Sequence, residues 1–314
     1  MKATISSPRL LATALTLTLA VAAASCGSSN HDRADDKTNT PVNATTVAST
    51  PTTMPRPRPV QAVDKVVRIQ RGRLHLRCNG RGSSTVLLIA GWDNSGDQGW
   101  SPVQPTIAKR TRVCSYDRFG TGTSDAPKIP QTFATEAADL HDLLNKAGEP
   151  GPYIVVGHSF GGAEAVDFAS HYRDDVVSLM LIDASPTTWP TALCALPDDG
   201  TPTAREFRTT CGVFHHPQLD AEKLDAFPAF AAVAKIKTLG NLPIIVMTGA
   251  QRTFPGLAAP QLARLTKVWN AGAARWAALS TASKIVPVEH TGHFIQGEHP
   301  DLVIKELNKL IPQG

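Results

Sequence analysis

The stretch YIVVGHSFGGAEAVDFA, residues 153–169, limits the possible folds more than any other part of the chain. Its first half is a short apolar run containing β-branched Ile154, Val155 and Val156, as expected of a strand buried on both faces. Its second half suits a helix. Gly157, Gly161 and Gly162 remove side chains where strand and helix must pack closely. Among them stands one hydroxyl, Ser159. A buried strand, a sharp turn carrying serine and a helix make a nucleophile elbow, which holds the serine oxygen out at the carboxyl edge of a parallel sheet. An ordinary strand-to-helix turn is the competing reading, and the rest of the chain decides between them.

Strand-like and helical runs alternate around this elbow. Residues 66–77 read as a hairpin turning at Arg71 and Gly72. Further strands are expected at 85–90, 112–116, 176–182, 242–248 and 284–288, and helices at 101–109, 132–147, 160–172, 258–279 and 302–310. Such alternation implies an α/β chain: a mostly parallel sheet with helices on both faces. With 314 residues, 42% of them hydrophobic, there is enough material for one large core. Residues 185–240 break the rhythm. They carry several prolines and only a weak helical pattern, and they are too many for an ordinary connection. They read as a cap inserted after the strand that ends near Asp183, lying over the carboxyl edge of the sheet.

The N-terminal segment reads as an address. Lys2 and Arg9 precede an apolar run at 10–24 that is too short to span a bilayer comfortably, so residues 1–25 read as a signal peptide. The run closes in AVAAASC. This resembles the lipobox of bacterial lipoproteins, whose cysteine takes a lipid and becomes the mature N-terminus, although Ala23 replaces the usual leucine. Cys26 is therefore the expected lipidation site. Residues 26–60 are polar and rich in Thr and Pro, and cannot offset their ordering entropy by burial. They are expected to be a disordered tether between the lipid and a domain at 61–314, on the outer face of the cell membrane. Plain secretion is the alternative. The net charge of +4 comes without interleaved aromatic and basic residues, so no nucleic-acid partner is expected. The sequence is silent on oligomeric state.

Four more cysteines remain, an even number that suggests two disulfides outside the cytoplasm. Cys78 and Cys114 follow or lie in strand-like runs, and Cys194 and Cys211 flank an irregular part of the insertion. Cys78–Cys114 and Cys194–Cys211 are the favoured pairs of three connectivities. None has C-x-x-C spacing, so no metal site is expected.

From about residue 66 to 312 the chain resembles the α/β-hydrolase family, in six pieces that come in family order. TVLLIAGWDNSGDQGW resembles the strand and oxyanion loop, and RVCSYDRFGTGTSD the Y-D-x-x-G-x-G-x-S segment. VVGHSFGG is the elbow, VVSLMLIDASP the next strand, LPIIVMTGA the strand after the cap, and HTGHFIQGEHPDLVIKEL the histidine loop and last helix. The resemblance implies an α/β-hydrolase fold with Ser159 as nucleophile. It places the general base at His293, with His290 as the rival three residues earlier. Imidazole suits this work because its pKa lies near neutrality. His158 is expected to pack beside the elbow and His299 to be solvated.

The acid departs from the common family pattern. Many members carry an Asp in a turn after the strand that follows the cap; here that place reads TGAQRTFPG, with no acid. Some members place it one strand earlier, where Asp183 stands. The implied triad is Ser159, His293 and Asp183, with a merely structural Asp183 as the alternative. The family often reads His-Gly in the oxyanion loop, where this chain has Ala90-Gly91. The backbone amides of Trp92 and Phe160 are the implied oxyanion donors. The glycines of YDRFGTGTSD suit a structural turn better than a phosphate site, and no dinucleotide fingerprint appears elsewhere, so no cofactor is expected.

The resemblance implies a serine hydrolase whose partner is a small acyl compound, by default a carboxylic ester. Related members that act as cofactor-free haloperoxidases (perhydrolases) or proline iminopeptidases give a second possibility. A lipid-anchored binding protein on a catalytically retired scaffold is a third.

Overall fold

The computed structural model describes residues 61–250 and 256–312. The expected signal peptide, Cys26 and the tether lie outside the described residues, as do residues 251–255. Among the described residues no helix is long and apolar enough to cross a membrane.

Eight strands form one sheet: β1 (Val63–Arg68), β2 (Arg73–Asn79), β3 (Thr85–Ile89), β4 (Arg112–Asp117), β5 (Tyr153–His158), β6 (Val176–Ile182), β7 (Ile244–Gly249) and β8 (Ser283–Val288). Their order is β1-β2-β4-β3-β5-β6-β7-β8. β1 and β2 form the expected hairpin, and β2 runs antiparallel to β4; all later pairs are parallel. The elbow strand β5 is therefore central. Every residue of β3, β4, β5 and β7 is buried, which explains why β3, β5 and β7 read as largely continuous rather than alternating apolar runs, while β4 also buries Arg112, Ser115 and Asp117.

The pleat splits the core into two layers. Leu87 and Ile89 of β3 face one layer, and Val86 and Leu88 face the other. Helices α1 (Gly96–Trp100) and α2 (Gln104–Ile107) cover the second layer, while α3 (Phe133–Ala147) and α4 (Phe160–His171) cover the first. Thr132 caps α3 by accepting from the Thr135 amide, and Gly148 ends it in the left-handed conformation that glycine adopts without strain.

The expected helix at 101–109 is instead two short ones. Ser95 and Gln98 form a capping box that starts the first helix early, and Pro105 lies in the first turn of the second.

Between β6 and β7 the insertion contains three helices, α5 (Trp189–Cys194), α6 (Pro202–His215) and α7 (Ala226–Val233), where the sequence shows only a weak helical pattern. α6 buries just Ala204 and Phe214, so its apolar stripe is thin. Cys194 and Cys211 are bonded and tie α5 to α6, while Cys78 and Cys114 are bonded across the facing register positions of β2 and β4. After β7 come α8 (Ala259–Ala277), then β8, α9 (Ile295–Glu298) and α10 (Pro300–Leu307).

Candidate active site

Ser159 stands between β5 and α4 with φ 54° and ψ −123°. A non-glycine residue is strained there, and the surrounding packing must impose the conformation. Its amide donates to the Ile182 carbonyl at the end of β6, and its own carbonyl accepts from the Gly162 and Ser185 amides. The flanking glycines are obligatory. A Cβ on Gly157 would stand 2.2 Å from the Gly161 carbonyl oxygen, and one on Gly161 would stand 2.2 Å from that of Ala90. Strand, elbow and oxyanion loop thus meet without side chains between them.

The structure brings His293 and Asp183 to this serine from two other strand ends. Ser159 Oγ lies 2.9 Å from His293 Nε2, and His293 Nδ1 lies 2.6 Å from Asp183 Oδ2. An ionised carboxylate only accepts, so Nδ1 carries the proton and Nε2 is left free to accept from the serine hydroxyl. The Asp183 side chain is fully buried, and its second oxygen accepts from Thr248 Oγ1 at 3.3 Å and the Gly249 amide at 3.4 Å. Both donors sit at the end of β7, the place where many relatives carry the acid itself.

His290, the rival base, does not take this position: it is exposed, and its carbonyl accepts from half-buried His299. His158 lies behind the elbow, where its Nε2–H donates to the His293 carbonyl at 2.9 Å and steadies the histidine loop. Burial, reinforced by the neighbouring His293, pushes His158 down to about 3, so its ring stays neutral and structural.

Trp92 follows Gly91 on the oxyanion loop, and its ring stacks on Phe160 at 5.5 Å between centroids. Phe160 opens α4, so its amide has no carbonyl one turn back within the helix. Trp92, Phe160, Trp189, Leu193, Phe207 and Trp269 form the apolar walls of a cavity of about 310 Å³ that contains Ser159 and His293. Trp189, Leu193 and Phe207 come from α5 and α6, so the insertion does roof the site.

Three contributors escaped the sequence reading. Ser185, two residues past Asp183, places its hydroxyl 3.3 Å from that of Ser159. Arg118 lies within the glycine-rich turn after β4, and its buried guanidinium donates to the carbonyls of Ala90 and Gly91. Glu222, from the insertion, pairs with Arg118. The turn itself is structural: Asp117 accepts from the Gly96 and Thr123 amides. Among the described residues two groups of side chains have metal-ligand spacing, Cys194 with Cys211 and His215, and Cys78 with Cys114 and Glu149. In both, the sulfurs are bonded to each other and offer no thiolate.

Residues 86–306 match the model of the alpha/beta hydrolase family. The chain belongs to that family. It is 26% identical to a soluble epoxide hydrolase of Corynebacterium sp. (strain C12) over 273 residues, covering 74% of this chain and 91% of that one. It is 24% identical over 226 residues to YqjL of Bacillus subtilis (strain 168), covering 71% and 82%. Among solved structures, that of Est816, described as an N-acyl homoserine lactone degrading enzyme, aligns with a TM-score of 0.58 at 16% identity, covering 79% of this chain and all of that one. At such identity the structural likeness speaks for the fold alone.

Proposed function

We propose that this alpha/beta hydrolase cleaves a carboxylic ester through an acyl-enzyme on Ser159. The observation that carries this reading is the continuous relay from Ser159 Oγ to His293 and on to buried Asp183, at 2.9 and 2.6 Å. His293 Nε2 takes the serine proton as Oγ bonds to the acyl carbon. The carbonyl π electrons move to oxygen, and the amides of Trp92 and Phe160 receive the oxyanion. Collapse expels the alcohol, which leaves with the proton from His293. Water then repeats the cycle and frees the acid. Asp183 holds the tautomer and stabilises the imidazolium.

The nucleophile type separates this chemistry from that named for the Corynebacterium relative. Opening an epoxide with a serine oxygen would leave an alkyl ether, which water does not cleave, whereas an acyl-serine hydrolyses readily. The aromatic walls favour an apolar acyl group, and about 310 Å³ suits one of modest size. We also propose that the protein is exported and held at the membrane by lipid on Cys26, in keeping with the AVAAASC segment.

The test is a panel of p-nitrophenyl esters from acetyl to decanoyl, run beside peptide and peroxide substrates on protein lacking residues 1–60. Fluorophosphonate labelling of wild type and Ser159→Ala accompanies it. Ester turnover and Ser159-dependent labelling are expected. Labelling without ester turnover would move the assignment to amide or peroxide chemistry, and absence of both would leave a binding protein.

A further inference from the structure

The segment YDRFG is only partly explained as a turn. Arg118 is buried, and its Nη1 and Nη2 donate to the Ala90 and Gly91 carbonyls at 2.7 and 2.6 Å. The Gly91–Trp92 peptide is planar and trans, so its C=O and N–H point in opposite directions. Drawing the Gly91 oxygen toward Arg118 therefore aims the Trp92 N–H away from Arg118. The guanidinium sets the direction of a proposed oxyanion donor without touching substrate.

Arg118 is itself held from the cap. Glu222, also buried, accepts from Arg118 Nε at 2.6 Å and Nη2 at 3.3 Å. Its other role is to accept from the Asp93 amide. Asp93 has φ 59°, a strained value for a residue with a side chain, immediately after Trp92. Asp220, two residues before Glu222, accepts from the Trp92 indole at 3.1 Å. Three consecutive residues of the oxyanion turn, 91 to 93, are thus fixed by one cap segment and one arginine.

That cap segment is seated on the core independently of these contacts. The Gln131 amide donates to the Lys223 carbonyl and the Asp225 amide to the Gln131 carbonyl, both at 2.9 Å. Gly120 lies so close beneath it that a Cβ would stand 2.2 Å from the Ala221 carbonyl oxygen. Glu164, on α4, backs Arg118 from the other side at 3.5 Å and accepts from the Tyr116 hydroxyl.

We infer that Glu222 and Arg118 are positioning residues through which a seated cap holds the oxyanion turn in its catalytic orientation. The inference rests on the ester reading for its catalytic consequence, but the clamp has a readout of its own. The experiment compares Glu222→Ala, Glu222→Gln and wild type. Amide hydrogen exchange is followed by mass spectrometry over residues 91–94, and kcat and KM are measured on the best p-nitrophenyl ester.

Glu222→Ala is expected to speed exchange at the Asp93 amide. It should lower kcat about 10- to 100-fold, short of the ~10²–10³ that follows outright loss of a donor. KM should stay within about threefold, because only transition-state stabilisation is lost. Glu222→Gln keeps an acceptor for Asp93 and should fall between the two. Asp220→Ala, at a half-exposed position, should loosen the Trp92 ring and lower kcat less. Should Glu222→Ala fail to fold, the Gln and Asp220 variants carry the same readouts. Unchanged exchange over 91–94, or a loss confined to KM, overturns the inference. Faster exchange with unchanged kcat does so too. A wild type inert on every ester counts against the ester reading alone, and the exchange comparison then decides the clamp.

Discussion

His293 Nδ1 and Asp183 Oδ2 lie 2.6 Å apart although 110 residues separate them in sequence. Asp183 reaches this place from β6, and its second oxygen is bound by donors at the end of β7. Asp183→Asn preserves size and leaves the fold intact, but it favours the wrong imidazole tautomer. Turnover should fall by about 10⁴-fold, as in the serine-protease triad. Melting temperature and ester turnover measured together check this. Near-normal turnover in a folded variant would reduce the site to a Ser159–His293 dyad.

The buried groups around the site predict opposing pH effects. Burial lifts Glu164 from its ordinary 4.5 to about 7, even against the pull of Arg118. Between those values the native state keeps a proton that the unfolded chain has released, so this contribution to stability falls as pH rises. His158, held at about 3 against an ordinary 6.5, acts in reverse: its contribution falls as pH drops below 6.5. The two offset each other where the windows overlap. Glu164→Gln removes the first and also takes away the charge that helps raise neighbouring Glu136, an effect of the same sign, so the variant should gain on wild type from about pH 4.5 to 7. Chemical denaturation of both proteins across that range checks the sign, and a difference that stays flat would refute it.

The Cys194–Cys211 bond closes a short loop, with a sequence separation of 17, and joins two helices that roof the cavity. Replacing both with serine should cost about 3 kcal/mol by the chain-entropy argument. Leu193 and Phe207 then lose their fixed spacing, so KM should rise more than kcat falls. Thermal unfolding with steady-state kinetics on the double variant tests both parts.

Cys26→Ala should release the protein from membranes if the N-terminal lipid is its anchor. Fractionation of cells expressing the full chain checks this, and a variant that still sediments with membranes would reject lipid anchoring at that cysteine.

What the sequence made visible follows from how local each signal is. β3 and β5 announce themselves because strands buried on both faces are largely apolar. Ser159 is legible because its strained turn needs glycine on both sides. Asp183 was found through an absence, the lack of an acid in TGAQRTFPG. The helices near residue 100 were misplaced because the Ser95–Gln98 cap outweighs the propensity pattern that follows it. The cap helices were faint because α6 buries so little. The Arg118–Glu222 pair spans 104 residues and depends on two backbone carbonyls, for which no side-chain pattern exists.

Placing the acid on β6 has an evolutionary consequence. Nucleophile and acid now sit on neighbouring strands in a fixed register, with His158 opposite Ile182, and both precede the insertion. The end of β7 is relieved of supplying a carboxylate and offers donors instead, among them the Gly249 main-chain amide. An insertion begun after Ser185 can lengthen, shrink or be exchanged for another without shifting the serine relative to its acid. The roof that shapes the cavity can therefore change while serine and acid stay in place. A transplanted roof would still have to bring a carboxylate to the place Glu222 fills, so a chimaera lacking one would keep its triad and turn over slowly.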